Sequence, residues 1–353
     1  MITLKQFHPF LIGSMILLIT LCIFTPRLQL FSNPLDGTYE WTRGITFAQQ
    51  TENPFESPRE VAMRWRAFPA IICWSFGLRG YSAFVFPWIG IALLLIYTQK
   101  VLRRHVAAPE LQWAGFLLVC ASSAVLVPVH WLGINDAWYL LGLLIVTFTR
   151  ERKWLALAIL IFPLFDERFI IGLPLAYVVR YLSLKNGEKL YPHFALILLP
   201  YIIARLSLSP FGLDSDEAHF VQRHFQDAVN HLAYIPHGWW MGFRIGWLFL
   251  LASIWFAYRS HGKWMSLLLF CGICCTAMAT TLLAWDISKS IAILIPVLLF
   301  GFISVANWER WKGDVLTVCV FSLFILLIPA QHVIGYKLHP IETLPIELMR
   351  WLT

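Results

Sequence analysis

The sequence predicts an all-α fold, a polytopic membrane helix bundle of about eleven membrane segments. Three observations predict it. The first is composition: of 353 residues, 59% are hydrophobic, 16% aromatic and only 13% charged, and mean hydropathy is +0.68. A soluble globular chain is about 45–50% apolar and about 25% charged. Half the usual charge cannot cover a water-facing surface, which excludes a cytosolic enzyme, a disordered protein and a nucleic-acid module. No nucleic-acid partner is expected, despite a formal net charge of +7. The second observation is a series of apolar runs, several of them near the roughly 20 residues that cross a bilayer. The third is that short, basic connections alternate with acidic ones, as the positive-inside rule requires.

The runs lie near 9–25, 81–99, 111–131, 137–149, 154–165, 168–183, 191–207, 238–258, 264–285, 290–306 and 315–335. The first follows a single Lys and shows no small-x-small cleavage site, so a retained transmembrane helix is expected rather than a cleaved signal. Residues 137–149 and 154–165 are short, so they are tilted, extended by their flanks, or a re-entrant pair. In each case Asp136 and Asp166 emerge on the same side. With the N-terminus inside, the internal connections are Lys100-x-x-Arg103-Arg104, Arg150-Glu151-Arg152-Lys153, Lys185–Lys189, Arg259–Lys263 and Arg310–Lys312. All are basic, whereas 15 of the 20 acids fall outside. The expected location is the bacterial inner (plasma) membrane, with the N-terminus cytoplasmic and the C-terminus external.

Residues 1–353 then form one integral-membrane domain with two long external interfacial loops. The first, 26–80, contains an apolar stretch, Phe68–Phe76, too short to span and suited to the interface. The second, 208–237, carries acids and His219, His224, His231 and His237, whose spacing fits neither a helical metal pair nor a zincin pattern. The seven cysteines mostly sit in apolar runs and match no zinc signature, so they read as small buried hydrophobes.

Ionisable residues beside a bilayer are costly unless paired or functional. In the first loop, Asn33-Pro34-Leu35-Asp36-Gly37-Thr38-Tyr39-Glu40 is followed by Asn53-Pro54-Phe55 and by Arg64-Trp65-Arg66-Ala67-Phe68-Pro69. A solvated turn at Pro34–Gly37 is the plain account of the acid there. Phe165-Asp166-Glu167-Arg168 puts three ionisable groups in a turn where a helix cap needs only one. Trp285-Asp286-Ile287-Ser288-Lys289-Ser290 opens a helix. Asp286 or Ser288 suits the N-cap, and the positive helix end with Lys289 suits an anion such as phosphate. His130 to Asp136 reads most simply as a cap. Arg244 and Arg205 are the charges nearest a mid-bilayer position. The chain has no P-loop lysine, H-E-x-x-H, G-x-S-x-G or Gly-rich cofactor turn. Acids clustered at one face, rather than at the midplane, favour chemistry at the external surface over passage through the bilayer.

In this respect the chain resembles the GT-C superfamily of membrane glycosyltransferases, on Asp36, Tyr39, Asn53-Pro54-Phe55, Arg64, Arg66 and Pro69 in that order. The resemblance covers about fifty residues by motif and the rest by topology. It implies inverting transfer of a sugar from a polyprenyl-phosphate donor to a glycan, lipid or protein acceptor at the external (periplasmic) face. The family's first-loop acid implies Asp36 as the base. Asp166 and Glu167 are the further candidates, as bases or as binders of sugar hydroxyls. Tyr39, Arg64, Arg66, Arg168, Asp286 and Lys289 are candidate substrate and phosphate ligands, Arg being suited to bidentate contact. The chain departs from the family in having neither an Asp-x-Asp nor a paired Asp-Glu in the first loop, and no large soluble C-terminal domain. No metal ligand or cofactor is therefore assigned, and a divalent metal stays open. Membrane lipids are the remaining expected partners. Two other classes compete: a transporter or flippase, which needs a polar midplane cavity, and an O-antigen-type polymerase or ligase, which would carry an arginine-led external loop.

Overall fold

The computed structural model describes residues 39–55, 66–131, 133–183, 191–208, 225–226, 229–230, 232–283, 286–308, 330–335, 337–341, 349 and 352. They are mostly helical. Four helices among them are long and apolar enough to cross a membrane: Gly80–His105, Leu232–His261, Lys263–Leu282 and Ile287–Ala306. A fifth span results if Pro109–Cys120 and Ser123–His130, bent by 49°, count as one.

Within the first loop, α1 (Tyr39–Glu52) and α2 (Ala67–Ser75) pack together against the 3-10 turn Gly80–Phe84. Helix α2 covers the stretch expected at the interface, and Trp74 and Phe76 are exposed on it. The turn leads into α3 (Val85–His105), whose last turn carries Arg103, Arg104 and His105. Cations there complement the negative end of the helix. Pro109 opens α4 (Pro109–Cys120), where its missing N–H costs nothing. Helix α5 (Ser123–His130) follows the bend and is wholly buried.

Helix α6 (Asp136–Phe148) is the axis of the bundle. Eleven of its 13 residues are buried, the mark of an apolar helix enclosed on all sides. It packs on α3, on α7 (Arg152–Ile161) and on α8 (Arg168–Ser183). A 3-10 segment, Pro192–Leu198, leads into α9 (Leu199–Leu208). The loop expected over 208–237 gives way to helix before its end. A 3-10 turn at Leu232–Tyr234 precedes α10 (Ile235–Phe243), and a second at Arg244–Gly246 joins it to α11 (Trp247–His261). Arg244 lies buried at that break with φ +49, a conformation uncommon outside glycine. The side chain of Arg205 lies outside the described residues.

Gly262, at φ +83, turns the chain directly into α12 (Lys263–Leu283). Cys271 and Cys275 are exposed on α12, while Cys73 and Cys120 are buried. The expectation of buried cysteines therefore fails on α12, because a helix face meeting lipid accepts small apolar residues as readily as a core does. Helix α13 (Ile287–Ser290) and the 3-10 turn Ile291–Leu294 lead into α14 (Ile295–Ala306). Helices α11 and α14 approach closely at Gly301, where a Cβ would lie 1.9 Å from the carbonyl oxygen of Phe249.

One element departs from the all-α expectation. The apolar run 315–335 ends in β1 (Ala330–Ile334), which pairs antiparallel with β2 (Lys337–Ile341) and places His332 opposite His339. Gly335 at φ +55 permits the tight connection, as hairpin turns require. Ile334 also bridges to Asp286, and the Val333 N–H donates to Ser288 Oγ at 2.9 Å, docking the hairpin on α13.

The two ends of the bundle differ in chemistry. At one, the His105 ring lies 5.9 Å from Phe148, and Asn307 Nδ2 donates to the His105 carbonyl at 2.8 Å. Buried Arg180 donates to the carbonyls of Val146 (2.8 Å) and Thr149 (2.6 Å), and Tyr181 meets His261 at 5.7 Å. These contacts collect the C-terminal ends of α3, α6, α8, α11 and α14, of which α3, α8 and α11 carry basic residues in their last turns. The other end gathers Asp136, Asp166, Asp286 and their cationic partners.

Candidate functional site

The site is built where four chain segments meet. A small aromatic core sets the first contact. Phe47, Ala70, Cys73, Phe84, Phe86 and Phe165 are buried together, with Phe68 edge-on to Phe165 at 5.2 Å. Trp138 stacks on both Phe86 (4.8 Å) and Phe165 (5.2 Å). This packing fixes the N-terminal end of α2, and so Arg66, against the Asp166–Glu167 turn.

That turn does two jobs at once. Asp166 Oδ1 accepts the backbone N–H of Arg168 at 2.9 Å, which caps α8 as expected from the sequence. The Arg168 side chain then folds back and grips the same carboxylate through Nε (2.8 Å) and Nη2 (2.7 Å). Nη2 also reaches Asp136 Oδ1 at 2.7 Å, and the guanidinium lies over the Tyr139 ring at 4.9 Å. Arg66 adds a second fork, with Nη2 and Nε on the two oxygens of Glu167 at 2.6 and 3.2 Å, and Nη1 3.3 Å from Asp166 Oδ2. From the other half of the chain, Lys289 Nζ pairs with Asp286 at 2.5 Å and stands 3.8 Å from Asp136 Oδ2. His332 Nε2 lies 4.0 Å from Asp286 Oδ1, with its ring 4.2 Å from that of Trp131.

The sequence thus names most of the group. Asp166, Glu167, Arg66, Arg168, Asp286 and Lys289 form one connected network. Asp36, Arg64 and the side chain of Tyr39 lie outside the described residues. Asp136 is the central member that sequence reasoning takes for a helix cap. Asn135 occupies the cap position but makes no side-chain capping bond, and the Asp136 carboxylate joins Arg168 to Lys289. The only signal for this was an acid opening the most apolar of the short runs. Asp286 likewise stands at the N-cap of α13 without a side-chain capping bond. The place offered to a phosphate beside Lys289 is filled by the protein's own carboxylates, because Lys289 is 2% exposed and held between Asp286 and Asp136. His332, absent from the sequence reading, joins through the hairpin, and Ser288, read there as an N-cap candidate, accepts the Val333 N–H.

Electrostatics separates anchored groups from available ones. Burial alone would raise the pKa of Asp166, but Arg168 and Arg66 outweigh it and hold the carboxyl below the usual carboxylate range. Burial would lower that of Arg66, but Asp166 and Glu167 raise it further above its ordinary value. A carboxylate gripped by two guanidinium groups is a fixed anion and a poor proton acceptor, so Asp166 suits positioning better than general-base work. Stability linked to Asp166 is full above its unfolded value near 4 and is lost as pH falls through its lower folded value. Thermal unfolding followed against pH should therefore show the wild type weakening only below about pH 4, with Asp166→Asn removing this component of the acid limb. A wild type that loses the component already near pH 6 would contradict the pairing.

Beside the network lies a small, partly open cleft of about 20 Å³, lined by Arg66, Pro69, Gly133, Ile134, Asn135, Asp136, Phe165 and Asp166. Of the charged groups around it, Arg66 on its wall and Glu167 beside it are the more exposed, with side chains 16% and 41% exposed against 4% for Arg168. Asn135 Oδ1 and Asp136 Oδ2 are buried acceptors without a hydrogen-bond donor. The cleft therefore places two buried acceptor oxygens near the Arg66 guanidinium, which is itself paired with Glu167 and Asp166. Among the described residues, no group of three or more His, Cys, Asp or Glu side chains is placed to hold a metal ion. Comparison of the chain with protein-family models, curated proteins and solved structures finds no match.

Proposed function

We propose that this protein is a membrane glycosyltransferase that moves a sugar from a polyprenyl-phosphate donor to an acceptor hydroxyl at the external face. The observation that carries the reading is the convergence of Arg66, Asp136 and Asp166, far apart in sequence, around one cleft at the acid-rich end of the bundle, with Glu167 paired to Arg66 beside it. The basic opposite end supports a cytoplasmic N-terminus and an external cleft. The bundle then has about eleven membrane segments in a bacterial inner membrane, the short helices around α6 being enclosed rather than lipid-facing.

In this reading Asp36 takes the proton of the acceptor hydroxyl as its oxygen attacks the anomeric carbon. The bond from that carbon to the phosphate oxygen breaks, the configuration inverts, and the lipid phosphate leaves as an anion. Arg66, at the rim, faces the departing phosphate. Glu167, Asn135 and Asp136 accept from sugar hydroxyls, while Arg168, Asp166, Lys289 and Asp286 hold the rim in place.

Membranes carrying the full chain, given a labelled polyprenyl-phosphate hexose, should transfer label to a glycan, lipid or protein acceptor. Asp36→Asn should lower that rate by about 10²–10⁴-fold with expression retained. Arg66→Gln should weaken donor use through KM as well as kcat. Undiminished transfer by Asp36→Asn removes it as the base. Movement of the lipid-linked sugar across the membrane with no covalent product would instead identify a flippase.

A further inference from the structure

The basic end of the bundle carries a surface that the transfer reaction does not use. Helices α11 and α12 meet there at Gly262, where a side chain would touch nothing within 4 Å, so the connection is an open tip. Arg259 and Lys263 flank it. Arg259 lies over the ring of Trp255 at 5.4 Å and Lys263 over that of Trp264 at 5.6 Å. Around the same end, Arg152 lies over Tyr191 at 4.6 Å and Lys153 over Trp154 at 5.9 Å. Each cation is carried on an aromatic shelf. Glu151, an acid at this end, is held by Lys153 at 3.3 Å, and Arg259 and Lys263 are exposed.

The apolar surface leading to these cations is continuous. On α11, Leu248, Leu251 and Trp255 are exposed at helical spacing and run into Arg259. On α12, Trp264, Leu267, Leu268, Cys271 and Cys275 are exposed and begin beside Lys263. The stripe from Leu248 to Arg259 is about 16 Å long at 1.5 Å per residue. A soluble anion would use only the tip of such a surface. A molecule with an apolar tail and an anionic head uses all of it.

We propose that the α11–α12 tip binds the phosphate headgroup of an anionic phospholipid, with acyl chains along the exposed stripes. Arg259 and Lys263 neutralise the phosphate, and Trp255 and Trp264 sit at the boundary between headgroup and chain. The site is independent of the sugar-transfer reading, which concerns the opposite end of the molecule.

The test uses the full-length protein in detergent, titrated with phosphatidylglycerol or phosphatidylcholine and followed by native mass spectrometry and thermal unfolding. Wild type should retain phosphatidylglycerol preferentially and be stabilised by it at low salt. Arg259→Gln and Lys263→Gln should each weaken that preference by roughly fivefold. The wild-type comparison of the two lipids stands without any variant. Equal retention of both lipids would overturn the proposal, as would an unchanged preference in folded Arg259→Gln/Lys263→Gln. Full displacement by millimolar inorganic phosphate would overturn it too, since it marks a site for a free ion.

Discussion

Arg168→Met is expected to be among the most damaging single substitutions in this protein. Its guanidinium holds Asp166 through two hydrogen bonds and Asp136 through a third, all between 2.7 and 2.8 Å, in a place almost closed to water. Removing one partner of a buried ion pair costs about 3–5 kcal/mol, because the remaining charge is stranded. Here two carboxylates lose their main partner together. The variant should show a large fall in thermal stability or a collapse of monodisperse protein on size exclusion. Arg168→Lys should recover little, since a single ammonium cannot fork onto Asp166 and still reach Asp136. Adding Asp136→Asn to Arg168→Met should restore part of the loss, so the two substitutions will not be additive. A melting temperature within about one degree of wild type for Arg168→Met would show that the network does not exist as described.

The second large effect is expected at Gly301. A Cβ there would lie 1.9 Å from the backbone oxygen of Phe249 and 2.8 Å from its carbonyl carbon. Those are backbone atoms of α11, so no side chain can rotate away, and α11 and α14 must separate. Close helix contacts through small residues are a principal source of packing energy inside a membrane. Overpacking typically costs about 1–3 kcal/mol, and Gly301→Ala should sit at the upper end, with Gly301→Leu failing to fold. Gly272→Ala is the matched control. Its new Cβ meets only the Leu175 Cδ1 at 3.0 Å, a methyl that can shift. Thermal unfolding of the two alanine variants should differ clearly, and equal melting temperatures would refute the close approach.

Much of this fold is readable in the sequence. Apolar runs near 81–99, 264–285 and 290–306 correspond to Gly80–His105, Lys263–Leu282 and Ile287–Ala306. The inference that Asp136 and Asp166 emerge together holds however the short helices cross, and Arg168 touches both. Charge and hydropathy report which way an element faces, so they could find this end of the molecule. They do not report pairing. Nothing in the order Asp166-Glu167-Arg168 says that the arginine folds back to bridge Asp136 while Arg66 takes Glu167. The β1–β2 hairpin was hidden for a related reason. Ala330–Ile334 is apolar, and a short apolar run reads equally as helix or strand, so only Gly335 hinted at a reversal. Lys289 misled because a helix start with a lysine invites an anion, and the sequence does not show that Asp286, with Asp136 behind it, supplies it.

The ionic network also bears on how such a chain enters a bilayer. Its first half already brings together Arg66, Asp136, Asp166, Glu167 and Arg168, and its second half carries Lys289 beside Asp286. The 3.8 Å approach of Lys289 to Asp136 and a 3.5 Å hydrogen bond from Arg168 Nη1 to Ser290 Oγ join the halves. During stepwise insertion from the ribosome, neither portion need wait for the other with naked charges in lipid. Two separately synthesised fragments, divided between α9 and α10, would each arrive with most of these charges already paired, one acid of the first half remaining in excess for Lys289 to meet on reunion.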